Sequence, residues 1–298
     1  MNQRIDRNGL AAAIGAYFIW GFMPLFFKQL SGIPAIEIIS HRIIWAVPVL
    51  IVIMAFRKQL RECWAAMSKW ASLRWLLVSA ILISVNWLVY VFAVNNGQIL
   101  AASLGYYLNP LVNILLGTVF LKETLNRTQW IAVAIAFVAV LVLAVGSLST
   151  LWISLTLACS FGVYGLVRKM APVGAIPGLA IETMLMFPIA LTTAYYYTAQ
   201  TVDLGWGSSV GISTLLVASG VITAVPLLLF AIGARSMPYS IIGFIQYIGP
   251  TIQLFLAIIL YNEVVSGPRA ISFALIWVAL IIFSWDMWRQ LRGQKIEA

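Results

Sequence analysis

Charged side chains are scarce in this chain: of its 298 residues, 9% are charged and 62% hydrophobic. A soluble domain carries about 25% charge, and so few polar groups cannot cover a water-facing surface. They suffice in lipid, where the exterior must be apolar too. Cysteine is nearly absent. Cys63 lies in a basic connecting segment and Cys159 in an apolar run, so no disulfide framework and no metal site is expected. His41 is the single histidine. With one imidazole, two separated thiols and no H-E-x-x-H, an embedded enzyme has little from which to build a nucleophile–base pair or a metal centre. The chain also lacks the G-x-x-x-x-G-K-[ST] cradle for nucleotide phosphates. No cofactor is expected, and any transport must be downhill or ion-coupled.

What the chain does have is long apolar runs. Ten can be read, over 9–30, 34–56, 72–95, 99–121, 127–146, 149–167, 176–197, 210–233, 238–261 and 268–288. A run of roughly 20 residues at 1.5 Å rise crosses a hydrocarbon core of about 30 Å. The first run shows no small-residue cleavage pattern, so it is expected to be a retained span rather than a signal peptide. The connections are short, which predicts helices that are antiparallel neighbours. The longest link, 57–71, sets Leu60, Trp64, Met67 and Ala71 on one helical face with Arg57, Lys58, Arg61 and Lys69 off it. That pattern predicts a helix lying among lipid headgroups, with a plain linker as the alternative.

The net charge of +9 does not point to nucleic acid. Nucleic acid requires basic groups gathered on one surface, whereas these interrupt the apolar runs. With the N-terminus placed in the cytoplasm, 15 of the 18 Lys and Arg fall in cytoplasmic segments, and only Lys28 and Arg269 fall opposite. Arg42 lies within a span. This is a strong positive-inside bias, and it predicts that both termini are cytoplasmic.

Residues also recur at an offset of 140: Pro48 with Pro188, Tyr107 with Tyr247, Pro110 with Pro250, and Glu123 with Glu263. Mid-helix proline costs about 3 kcal/mol in water, so its repetition carries information. Each unit, 1–146 and 147–298, holds five runs, and an odd number forces the second unit to insert upside down. The basic segment 57–74 accordingly matches 198–209, which has no Lys or Arg. The fold class expected is therefore an all-α membrane protein, ten helices in two inverted five-helix repeats. Inverted repeats with proline-broken helices recur in secondary transporters.

Several segments resemble RarD-type proteins of the EamA group in the drug/metabolite transporter superfamily. They are Ala16-Tyr-Phe-Ile-Trp-Gly21, Glu37-Ile-Ile-Ser-His-Arg42, Ala93-Val-Asn-Asn96 and the run from Ser103 to Asn113. Tyr164-Gly-Leu-Val-Arg-Lys169 and Phe244-Ile-Gln-Tyr-Ile-Gly-Pro250 complete the set. The resemblance covers nearly the whole chain. It implies two EamA-like repeats in a bacterial inner membrane and a small-solute permease, in a group linked to chloramphenicol and with superfamily relatives that export amino acids and metabolites.

Charges inside spans cost roughly 2.5–3.5 kcal/mol each and default to functional candidates. Here they are Glu37, His41 and Arg42 in the second span and Glu182 in the seventh. Glu37 and His41 stand four apart, where a carboxylate–imidazole pair can form. With a reference pKa near 6.5, His41 suits a coupling proton; the alternative is a structural ion-pair cluster. Arg42 and Glu182 are repeat equivalents, and no direct pair between them is expected. Solute-pathway candidates in the third and fourth spans are Asn86, Trp87, Tyr90, Tyr106, Tyr107, Asn109 and Asn113, with counterparts Gln246, Tyr247 and Gln253 in the ninth. Amides either bond solute or glue helices together, and aromatic rings offer planar walls. By resemblance to the superfamily's cavity-lining helices Trp20 and Tyr164 face the path; otherwise they face lipid. Trp70, Trp75, Trp285 and Trp288 read as an interfacial belt. Glu123 and Glu263 read as helix-boundary markers. Pro110, Pro226 and Pro250 are the expected gating prolines. The function expected is alternating-access transport of a small organic solute, such as a drug, amino acid or metabolite, in the export direction. The alternative is a lipid flippase or an accessory membrane subunit.

Overall fold

A computed structural model describes residues 6–96, 98–144, 150–200, 205–261 and 267–293. Among them are twelve α-helices and no strand. The first six are α1 (Arg7–Lys28), α2 (Ala35–Phe56), α3 (Leu60–Met67), α4 (Trp70–Asn95), α5 (Ile99–Phe120) and α6 (Arg127–Ala144). The others are α7 (Leu151–Met170), α8 (Ala175–Gln200), α9 (Val210–Ser236), α10 (Tyr239–Gln246), α11 (Ile248–Tyr261) and α12 (Gly267–Gly293). Nine segments, with α10 and α11 taken as one, are long and apolar enough to cross a bilayer. The remaining expected run forms α5, whose 22 residues extend about 33 Å. The chain is a multi-pass membrane protein.

Local chemistry fixes the helix starts. The Asp6 carboxylate accepts from the Asn8 and Gly9 amides to cap α1, and the Ser209 hydroxyl accepts from the Ile212 amide to cap α9. At α6, Asn126 and Gln129 exchange side-chain-to-backbone bonds of 2.9 and 3.1 Å in a capping box. Helix starts at 35, 70, 99 and 127 are followed by starts at 175, 210, 239 and 267, each 140 residues later. The expected unit boundary at 146/147 and Glu263 lie outside the described residues.

The expectation that sequential helices pack as neighbours is wrong. The principal packing partners are α1 with α9 and α11, α2 with α8 and α9, α4 with α7, α5 with α7 and α10, and α6 with α12. Every one of these joins a helix before residue 146 to one after it. Short loops fix direction, but small residues decide which surfaces meet. Ala132, Ala136 and Ala139 of α6 are fully buried, and the Ala139 carbonyl accepts from the Ser272 hydroxyl of α12 at 2.8 Å. Gly220 of α9 lies against the Trp45 backbone of α2, an approach that a side chain would block.

The prolines also differ from expectation. Pro24, Pro48, Pro110, Pro188 and Pro226 sit within continuous helices. The described break in a span is at Tyr247, between α10 and α11, three residues before Pro250. Pro250 has no N–H to offer the Gln246 carbonyl, and the Tyr247 amide turns back to Phe244 instead. The link helix α3 forms as expected. Cys63 and Ala66 face the protein, while Leu60, Trp64 and Met67 stay exposed, the disposition of a helix resting on lipid.

Candidate functional site

A void about the size of one water molecule lies at the centre of the bundle. Its walls come from α2, α4, α7, α8 and α9, and the chemically distinctive ones are Trp87, Tyr164, Glu182, Thr183 and Thr223. Both parts of the chain contribute, because the close packing of α2 on α8 and α9 leaves its remaining gap there. A solute larger than water requires these helices to separate.

Glu182 sits at one side of the void. It is buried and lies 3.4 Å from the Nε of Arg168, itself fully buried. The Ser79 hydroxyl donates to one carboxylate oxygen, and the Tyr164 hydroxyl donates to the other at 3.3 Å. The Arg168 Nη2 donates to the Ala175 carbonyl at 2.9 Å. Arg168 reads in sequence as a loop charge. The structure instead draws it inside, one turn from the end of α7, because Glu182 and the close-lying Gly178 of α8 give its guanidinium a seat.

Arg42, the repeat equivalent of Glu182, is placed differently. Its Nε donates to the Thr223 hydroxyl at 2.8 Å. Its guanidinium carbon lies 5.1 Å from the Trp87 ring centre and 5.2 Å from that of Phe27, in cation–π geometry. Tyr106 and Tyr90 are its nearest electrostatic neighbours, and their rings lie 6.1 Å apart.

The Glu37–His41 hydrogen bond does not form. The buried Glu37 carboxylate accepts from the Trp206 amide at 3.0 Å, and both His41 ring nitrogens are buried without a hydrogen-bond partner. Trp206, from the turn before α9, stacks on His41 at 5.0 Å and on Trp45 at 5.7 Å. It covers this end of α2.

These placements, the mixed aromatic and polar walls above all, can be set beside known proteins. A model of the "EamA-like transporter family" matches residues 7–145. An uncharacterised transporter of Pseudomonas aeruginosa is 44% identical, covering 96% of each chain. Protein RarD of Escherichia coli is 42% identical over 99% of this chain and 100% of its own. The chain belongs to the EamA family, as a RarD-type member. A crystal structure at 17% identity shares the fold, with a TM-score of 0.70 over 92% of this chain and 96% of that one. The family is one of membrane transporters, and this EamA protein is one of them.

Within the EamA chain the remaining candidates separate by what they touch. Trp20 and Tyr164 turn inward: with Tyr17, Phe161 and Phe230 they form one aromatic cluster, with ring centres 5.2–6.2 Å apart. Asn86 acts as glue, its amide donating to the Leu157 carbonyl and the Ser160 hydroxyl of α7. The Gln246 oxygen accepts from Asn113 at 2.8 Å and from Tyr17 at 3.3 Å. Gln253 donates to the Trp20 carbonyl at 3.2 Å. Tyr107 packs edge-on against Phe273 of α12. The amide of Asn109 and the hydroxyl of Tyr247 are buried and unpartnered. Trp70, Trp285 and Trp288 are exposed as a belt requires, while Trp75 is half-buried. The Glu123 oxygens accept from the Tyr239 and Ser240 amides at 2.6 and 2.9 Å, capping α10. Sequence reading missed Arg168, Ser79, Tyr17, Trp45 and Trp206. Trp206 had no local signal, being one tryptophan among the chain's 12. The equivalence of 168 to Lys28 at offset 140 was the only clue to Arg168.

Proposed function

We propose that the chain is a secondary transporter that moves a small organic solute, outward, by rocking two inverted five-helix repeats about the central void. The observation that carries this reading is the void itself, walled by both repeats and lined by Trp87, Tyr164, Glu182 and Thr223. The recurrence of helix starts at offset 140 supports two repeats, and the exchange of packing partners between them supports their inversion. The cytoplasmic face is the one bearing Lys169 and Arg235. There Lys169 Nζ donates to the Ala234 and Met237 carbonyls of α9, and Arg235 donates to the Arg168 and Ala171 carbonyls of α7. These reciprocal bonds tie two helix ends together. A gate on this face must break them.

His41, unpartnered beneath Trp206, is the coupling-proton candidate. His41→Gln then abolishes gradient-driven uptake and spares equilibrium exchange; unchanged uptake removes it from the mechanism. Reporter fusions after residues 65 and 298 should read cytoplasmic and one after 206 external, and 65 and 206 on one side would end the inverted-repeat reading. The direct test is counterflow in liposomes with a panel of amino acids, metabolites and chloramphenicol, the last chosen because a Pseudomonas aeruginosa relative, 26% identical over 98% of each chain, is called chloramphenicol-sensitive protein RarD. Saturable solute exchange is the expected result. Lipid scrambling without it would instead support a flippase.

A further inference from the structure

Arg42 is a cation inside a span that no carboxylate answers. The only ion pair among the described residues is Arg168–Glu182. The partners of Arg42 are neutral: the Thr223 hydroxyl, the faces of Trp87 and Phe27, and the nearby Tyr90 and Tyr106. Only its Nε is engaged in a hydrogen bond, and its terminal nitrogens are not among the sealed buried atoms. Two of its contacts, Trp87 and Thr223, are walls of the central void.

The repeat explains the imbalance. At offset 140, Arg168 corresponds to Lys28 and Glu182 to Arg42. The second repeat places opposite charges at these positions and pairs them. The first places two cations there, which repel, and Lys28 remains at the exposed end of α1. A guanidinium in low dielectric with free donors is a strong site for a planar anion, because charge-assisted, forked bonds replace those of water. The flanking rings add flat apolar walls.

We propose that Arg42 is the recognition point for the solute, and that the solute is a small organic carboxylate with a planar apolar body. The carboxylate meets the Arg42 terminal nitrogens and the body lies along Trp87. The inference rests on the transporter reading above and names its substrate class.

The test uses the full-length protein in lipid nanodiscs and three probes of one shape: phenylacetate, phenylacetamide and 2-phenylethylamine. Calorimetric titration should find phenylacetate bound at least tenfold more tightly than the amide, and the amine not at all. Arg42→Gln should erase that preference, a loss of about 10- to 100-fold in phenylacetate affinity. Arg42→Lys should retain part of it, and Arg61→Gln, on the exposed face of α3, should leave it unchanged. Melting temperatures identify a variant that fails to fold, and the three-probe comparison on the wild type stands without any variant. Equal binding of the amide, tighter binding of the amine, a preference surviving in Arg42→Gln, or no phenylacetate binding would each overturn the proposal. If neutral or cationic solutes still exchange across liposomes in those cases, the transporter reading stands and only the anion assignment falls. Carboxylate binding without any solute flux would have the reverse meaning.

Discussion

The two repeats place chemistry at the same helical positions and treat it in opposite ways. In the second, Glu182 is enclosed by Arg168, Ser79 and Tyr164 and is fully answered. In the first, Arg42 is answered by one hydroxyl and two ring faces. The difference teaches that internal symmetry fixes where a polar group lies but not whether it is satisfied. A buried ion pair that is complete serves structure, and removing one member strands the other. A buried cation held only by neutral groups keeps its strongest interaction in reserve. The two sites flank one void, so one repeat supplies a rigid wall and the other supplies the reactive one.

That contrast can be broken from either side. The largest effect belongs to Arg168→Ala, which leaves Glu182 buried and uncompensated and should cost about 3–5 kcal/mol of stability. Thermal melting in detergent checks it, and Arg168→Met combined with Glu182→Leu should recover most of the loss. Single and double variants that melt alike would show that the pair is not a unit. Next, Thr223→Asp supplies the carboxylate that Arg42 lacks. It should abolish carboxylate binding, a loss beyond tenfold or roughly 1.4 kcal/mol, and leave the melting temperature near that of wild type. Binding that persists would mean the two groups do not meet.

Smaller effects probe how each end is held. Glu123→Ala removes both acceptors at the start of α10 and should cost about 1–2 kcal/mol, with hydrogen exchange accelerating first at the Tyr239 and Ser240 amides. The opposite end is held more lightly. Trp206→Ala should cost only about 1 kcal/mol, the scale of lost ring stacking, while exposing His41 to carbethoxylation by diethylpyrocarbonate. Unaltered His41 modification would show that Trp206 is not its cover.

How much of this was legible in the sequence follows from the range of each force. The spans were readable because hydrocarbon acts on every residue of a helix, so periodic apolar runs suffice. The surface helix α3 was readable for the same reason, its stripe being local. The inward turn of Trp20 and Tyr164 was not, since one face of a membrane helix is as apolar as another. The Glu37–His41 pair failed because a four-residue spacing permits contact without competing for it, and the Trp206 amide, 169 residues away in sequence, won the carboxylate. Asn86 and Asn113 became glue because α7 and α10 happen to present acceptors there.

Composition and apolar periodicity by themselves determined that this chain lives in a bilayer as a series of helices, because the solvent imposes that on every segment independently. The recurrence at 140 residues set which positions correspond. Only the tertiary structure decided that helices pack across the sequence midpoint rather than along it, that Arg168 turns inward to meet Glu182, and that Arg42 keeps neutral company. Those outcomes depend on which small residues let two backbones approach and on which distant acceptor arrives first, and neither is written in any local window of the chain.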